Sequence, residues 1–463
     1  MTHHRSSNRR AAARAVAVSA ASRENARRFT LATLATFLVL LAFAFLVRPV
    51  HATEIQRVVS PGGIEAWLVE DHTIPLISVN FGFTGGAAQD PEGKEGLANL
   101  MSTLLDEGAG DLDSQAFQTR LEDLNVELGF SAGRDSFSGQ MKTLTANRDD
   151  AFDMLRLAIT APHFDKEAID RMRTRLIAGI RNDSRDPNSV ASITWSALAF
   201  SDHPYGRRTD GTEETLLSIT HDDLATAHAH ILARDNLKIA VVGAIDAETL
   251  AGLLDTTFGG LPEKAELADI PDVSPRTGLT ENIDMDVPQT VIRLGLPGIK
   301  RDDPDFMPAY IMNHILGGGS FSSRLYLEVR EKRGLAYSVW SYLLPLDHTG
   351  MLLAGTATRS ETAGQTLKIM EDEIARMAKD GPTQEELDKA KSYLTGSYAL
   401  RFDTSGKIAS QLVGIQMENL GIDYINKRND LIAAVTLDDV KRVARELLAS
   451  DKATIVTVGR AGS

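Results

Sequence analysis

Apolar and polar positions along the chain first fall into short strand-like runs. Residues 65–69 and 76–83 are β-rich segments separated by a turn at 71–75. Residues 96–107, GLANLMSTLLDE, switch to a helical apolar period, and runs at 126–131 and 136–144 read as a hairpin. The second half offers a similar series: a strand over 290–296, a helix over 306–316, and strands over 337–344 and 350–357. The pattern is that of an α+β protein with antiparallel-rich sheets covered by helices.

The ends of the halves make the repetition explicit. SITHDDL at 218–224 pairs with AVTLDDV at 434–440, and LKIAVVG at 237–243 with ATIVTVG at 453–459, both at an offset of 216. A constant offset over so long a span points to a duplicated unit. The proline-bearing stretch around Pro262, Pro271 and Pro275 is the natural connection. We therefore expect a first domain over 54–265, a linker over 266–285 and a second domain over 286–463, the two homologous halves forming a clamshell around a cleft.

One stretch carries most of the candidate chemistry. In LGGGSFSSRLYLEVREKRGLAYSVW, residues 316–340, the spacing of Leu325, Val329 and Leu335 predicts a short helix. Ser322 or Ser323 can cap its start and Gly334 can end it. Arg330 near the helix end and Tyr337 on the following strand would bring a fork of donors and a phenol towards one extended ligand, which suits a peptide backbone. Tyr326, four residues before Arg330, would share its helix face. The competing reading is a capped helix, a solvated charge run from Glu328 to Arg333 and a core tyrosine. Gly317, Gly318 and Gly319 are followed by no Gly-Lys-Ser/Thr, so they shape backbone rather than cradle phosphate.

A chain of 463 residues, 43% hydrophobic, suffices for two cores of roughly 200 residues each. It contains no cysteine, which excludes disulfides, thiolate metal sites, cysteine nucleophiles and lipid-modified cysteine anchors. Residues 1–52 hold eight Arg and one Glu, a net of +7; against −14 overall this leaves −21 on the other 411 residues, an acidic body unsuited to nucleic acid. Within that head, 29–47 is a nineteen-residue uncharged run after a basic segment, and Val50-His51-Ala52 offers a cleavage site. This reads as an export signal to the periplasm; an uncleaved inner-membrane anchor at 29–47 is the alternative.

GGGSFSSRLYLEVREKRGLAYSV at 317–339, with HPYGRRTDGTEETLLSITHDDL at 203–224, resembles the pitrilysin/insulinase (inverzincin) metallopeptidase family, and the likeness extends over 54–460. The resemblance implies two homologous halves around a peptide chamber and a substrate-contacting Arg/Tyr pair at Arg330 and Tyr337. It also implies an H-x-x-E-H zinc helix in the first half. There the chain departs from the family: Asn99 and Thr103 stand where the histidines belong, Ser102 where the general base belongs, and Ala178 and Gly179 where a third, acidic ligand belongs. The lone histidines are expected to be structural or at the surface, and no G-x-S-x-G is present. The expectation is a chain with no catalytic or metal residues of its own. It would bind substrate as a subunit of a heteromeric zinc peptidase acting on unfolded peptides in the bacterial envelope, with the zinc in an H-x-x-E-H partner. Its alternatives are a catalytically silent scaffold and, without a partner, a homodimer.

Overall fold

Short, β-rich runs, the central ones buried on both faces, build two sheets. The computed structural model describes residues 54–449 and 453–460. The expected basic head, export signal or anchor, and cleavage site at 1–52 lie outside them. Among the described residues no helix is long and apolar enough to cross a membrane.

The first sheet holds β1 (Gln56–Val59), β2 (Glu65–Glu70), β3 (Leu76–Thr84), β4 (Glu127–Ala132), β5 (Ser136–Leu144) and β6 (Leu237–Gly243), in the order β1-β2-β6-β3-β5-β4. The second holds β7 (Thr280–Asp284), β8 (Gln289–Pro297), β9 (Ala336–Leu346), β10 (Thr349–Arg359) and β11 (Thr454–Gly459), in the order β7-β11-β8-β10-β9. Without the extra edge strand β1 the two orders coincide, and so do the directions. β2 and β6 are parallel, as are β7 and β11, and the other pairs are antiparallel. The duplicated segments also carry the same local chemistry. Thr220 with Asp223, and Thr436 with Asp439, form reciprocal capping boxes at the starts of the His221–Ile231 and Leu437–Leu448 helices.

Part of the expected linker is structural, because Thr280–Asp284 pairs in register with β11. The expected helix over 96–107 is shorter, ending at Ser102, with Leu104 and Leu105 buried in the turns that follow. The expected helix over 306–316 is α-helical only over Phe306–Asn313 and widens into a π-turn over His314–Gly318.

Each sheet has helices of its own half on one face and a single helix from the opposite half on the other. Pro187–Ala199, a first-half helix, lies on β8 and β11, with Ala191, Trp195 and Ala199 buried among Val291, Leu353 and Val456. Ser405–Met417, from the second half, lies on β3 and β6, burying Leu412, Val413 and Ile415 against Trp67, Ala240 and Val242. Polar links join the same partners: Trp195 Nε1 donates to the Thr454 carbonyl at 2.9 Å, and Gln416 Nε2 to that of Ile239 at 2.9 Å. Two-sided burial explains why β6 and β11 read as nearly unbroken apolar runs rather than alternating ones.

The HPYG segment is a further tie between the halves. The Tyr205 hydroxyl donates to Asp135 Oδ1 at 2.7 Å and accepts from the His348 N–H at 3.1 Å, in the turn joining β9 and β10. Burial and the Asp135 carboxylate both push the Tyr205 phenol up, so it stays a donor.

Candidate functional site

The glycine run ends one helix and seats it against β9. A Cβ on Gly317 would lie 2.4 Å from Ser341 Oγ and 2.6 Å from its N, so the close approach to the strand requires glycine. Ser341 Oγ in turn donates to Asn313 Oδ1 at 2.7 Å, fixing the end of the preceding helix.

The chain re-enters a helix at Arg324–Tyr326 and continues as a π-turn over Leu327–Glu331. Ser323 occupies the N-cap position, but its hydroxyl donates to the Ser320 carbonyl instead of capping the helix. Gly334 ends it as expected: at φ +61° it forms an αL cap, its own N–H on the Arg330 carbonyl, and the Leu335 N–H reaches the Val329 carbonyl in the wider spacing of the π-turn. Arg324 anchors the segment through a bidentate contact with Glu386, 2.7 Å on each arm, in the first turn of the Gln384–Gly396 helix.

The three residues singled out by sequence are brought together. The Arg330 guanidinium carbon lies 4.5 Å from the Tyr337 ring centroid and 5.0 Å from that of Tyr326. A third ring, Phe321, stands 6.0 Å away and meets Tyr326 edge-on at 5.1 Å. Phe321 went unforeseen; the available signal was an aromatic inside the serine-rich cap, SFSS, where turn chemistry calls for none. Tyr326 is buried and supports the guanidinium from below, whereas Tyr337 is 80% exposed and Phe321 71% exposed. Among the described residues the Arg330 side chain has no hydrogen bond and no carboxylate partner. It is a half-buried cation oriented by aromatic faces, with its donors left for a ligand.

In the neighbouring charge run Glu331, Lys332 and Arg333 are exposed, but Glu328 is not on a solvated face. Glu328 is buried, with one oxygen 2.5 Å from Lys332 Nζ, the other 2.5 Å from Arg333 Nη1, and Arg376 at 3.6 Å. Those hydrogen bonds, from Lys332 first and then Arg333, hold its carboxyl down to about 2. Because the folded value lies below the unfolded one, the stabilisation is complete above about pH 4.5 and is lost as pH falls towards about 2. Glu386 is also held down to about 2: burial opposes ionisation, but the Arg324 and Thr383 hydrogen bonds outweigh it, so it shares the window. In melting scans from neutral pH to pH 3, Glu328→Gln should lower the melting temperature at neutral pH and flatten its acid-side fall. An unchanged slope would remove Glu328 from this role.

In the first half, Leu97–Ser102 is the helix on which the zinc ligands would be carried. Asp90 positions it: its carboxylate accepts from the N–H groups of Gly96 at 2.8 Å and Ala98 at 2.9 Å. Burial nevertheless pushes the Asp90 carboxyl up to about 7. Ser102 is buried and its hydroxyl donates back to the Asn99 carbonyl at 2.8 Å; that of Thr103 donates to the Leu100 carbonyl at 2.8 Å. Both hydroxyls are thus spent on their own helix. Ala178 and Gly179 lie exposed on the Lys166–Asp183 helix, with open space where a Gly179 side chain would begin. Among the described residues no three His, Asp or Glu side chains cluster as a metal site. An amide, two committed hydroxyls and a missing carboxylate do not fit zinc, which requires imidazole, thiolate or carboxylate donors.

Among the described residues the histidines are structural or lie at the surface. Those of His163, His203 and His228 bond the carbonyls of Gly110, Pro271 and Ile159, His314 stacks on Tyr393 at 5.2 Å, and His348 lies 3.5 Å from Asp272. His230 reaches Glu266 at 3.3 Å and His221 is an exposed residue at a helix start.

The two-sheet duplicated fold, a metal helix without ligands and an uncommitted Arg/Tyr pair together define an inactive homologue of a metallopeptidase. Residues 67–213 match the insulinase family, peptidase family M16, and residues 218–394 match the peptidase M16 inactive domain. A solved peptidase M16 inactive domain from Pseudomonas fluorescens is 30% identical and superposes with a TM-score of 0.83, covering 89% of this chain and 98% of that one. The chain belongs to the insulinase family, peptidase family M16. Two relatives carry contrasting descriptions. An uncharacterized zinc protease of Streptomyces coelicolor is 27% identical over 85% of this chain and 87% of its own. The non-peptidase homolog YmxG of Helicobacter pylori is also 27% identical, over 72% and 78%.

Proposed function

We propose that this chain is the non-catalytic, substrate-binding subunit of a heteromeric zinc peptidase that acts on unfolded peptides in the bacterial envelope. The observation carrying this reading is the state of Arg330: positioned by Tyr326, Phe321 and Tyr337, yet bonded to no acid among the described residues. A residue kept only for architecture would be expected to have its donors satisfied, as those of Arg324 and Arg333 are. Arg330 donates to a carbonyl of an extended peptide, and the exposed Tyr337 hydroxyl holds the adjoining carbonyl or amide. Zinc and the general base belong to a homologous partner bearing H-x-x-E-H. The basic head followed by an uncharged run at 29–47 supports export, with cleavage or inner-membrane anchoring as its two outcomes.

In the complex with such a partner, Arg330→Ala should lower kcat/KM for an unfolded peptide by about 10²-fold, with KM raised and kcat reduced. Tyr337→Phe should give a smaller loss, and Arg330→Lys should restore little because the fork geometry is gone. Steady-state kinetics checks this against the unmutated complex. Unchanged cleavage in Arg330→Ala would favour the scaffold reading, in which the fold is retained for assembly alone.

A further inference from the structure

A cavity of about 480 Å³ lies between the two halves, and neither Arg330, Tyr326, Tyr337 and Phe321 nor Asn99, Ser102 and Thr103 line it. Its walls come from β3 and β5 on one side and from the start of the Phe306–Asn313 helix, the Tyr398–Phe402 turn and the Ser405–Met417 and Tyr424–Ala434 helices on the other. That volume is in the range of small-molecule pockets.

The chemistry of the walls is specific. Three guanidiniums face the space, those of Arg301, Arg401 and Arg428, and none forms a salt bridge among the described residues. Arg428 is only 5% exposed. One of its nitrogens, Nη1, reaches the Leu394 carbonyl at 3.1 Å and Asn429 Oδ1 at 3.2 Å. Its remaining donors find no acceptor among the described residues, and its guanidinium carbon lies 4.2 Å from the Tyr398 ring and 5.8 Å from that of Tyr310. Arg301 is sandwiched in the same manner, 4.2 Å from Phe306 and 5.3 Å from Tyr424, with Nη2 donating to the Tyr424 hydroxyl at 2.7 Å. Arg401, an exposed side chain, reaches the Tyr310 hydroxyl at 3.5 Å. Glu418 is the only carboxylate in the lining, leaving a cationic excess of two.

Arg428 is thus a largely buried guanidinium with donors that no acceptor among the described residues uses, which suits it to an oxyanion. From this juxtaposition we infer that the cavity is a binding site for a small organic anion. Its carboxylate or phosphate pairs with Arg428, Arg301 and Arg401, and its apolar body packs against the rings of Phe306, Tyr310 and Tyr398. The aromatic lining favours a ligand with an apolar body, and the forked donors favour a bidentate oxyanion. Because β3 and β5 belong to one half and the helices to the other, an occupant bridges the halves and stabilises their docking.

The test is calorimetric titration of the purified chain with 2-naphthoate and with its neutral analogue 2-naphthamide. Saturable binding of one naphthoate per chain is expected, at least about tenfold tighter than the amide, and weakened at least about tenfold by Arg401→Met. Arg401 is exposed, so its substitution should leave the melting temperature of the free chain unchanged; Arg330→Ala should leave naphthoate binding unchanged, separating this site from the peptide-binding reading. Equal affinity for the two probes, indifference to Arg401→Met, or no saturable binding below millimolar concentration would each overturn the inference.

Discussion

Trp195→Ala should cost the body of the protein about 3–5 kcal/mol, the range for removing a fully buried large aromatic. The indole is 2% exposed and sits where the first-half helix Pro187–Ala199 crosses the second sheet. It fits there because Gly295 in β8 has no side chain: a Cβ at that position would stand 2.0 Å from Trp195 Cζ2. Truncation leaves a cavity between the halves and deprives the Thr454 carbonyl of its 2.9 Å donor, which adds a desolvation penalty of about 1–3 kcal/mol at most. Urea unfolding followed by circular dichroism measures the loss, and Trp195→Phe should fall between the native chain and the alanine variant. A change below about 1 kcal/mol would mean that the exchanged helix is not what fastens the halves together.

The same helix shows what was legible in the sequence and what was not. The duplication was plain, because the capping boxes at Thr220 and Thr436 and the apolar runs of β6 and β11 recur in register. A sequence does not say which helix covers which sheet, so the burial of these strands on both faces was left to the structure. Periodicity misled at 96–107, since Leu104 and Leu105 are buried from a turn and so extend the apolar spacing beyond the helix end at Ser102. Residue type and spacing placed Arg330, Tyr326 and Tyr337 near one another, and they do lie together. Phe321 was missed because its approach depends on the path of the preceding turn. The competing reading left Glu328 in a solvated charge run because its three cation partners come from a π-turn, the turn at Gly334 and a distant helix, none of which a helical period specifies.

The absence of ligands on Leu97–Ser102 and the open donors of Arg330 lead to one large expected effect. On the proposed function, this chain alone should not cleave an unfolded peptide, whereas mixing it with a homologous chain that carries H-x-x-E-H should raise kcat/KM above that of the homologue alone by about 10²-fold or more. On that proposal the gain comes from the Arg330 and Tyr337 donors, since positioned hydrogen-bond donors at a reacting carbonyl contribute several kcal/mol. The most direct measurement is the rate of fluorogenic-peptide cleavage by each chain separately and by the mixture, with and without a zinc chelator. The account predicts chelator-sensitive activity that rises on mixing and falls again when Arg330 is replaced. Chelator-sensitive cleavage by this chain alone, or a mixture no faster than the partner, would contradict it.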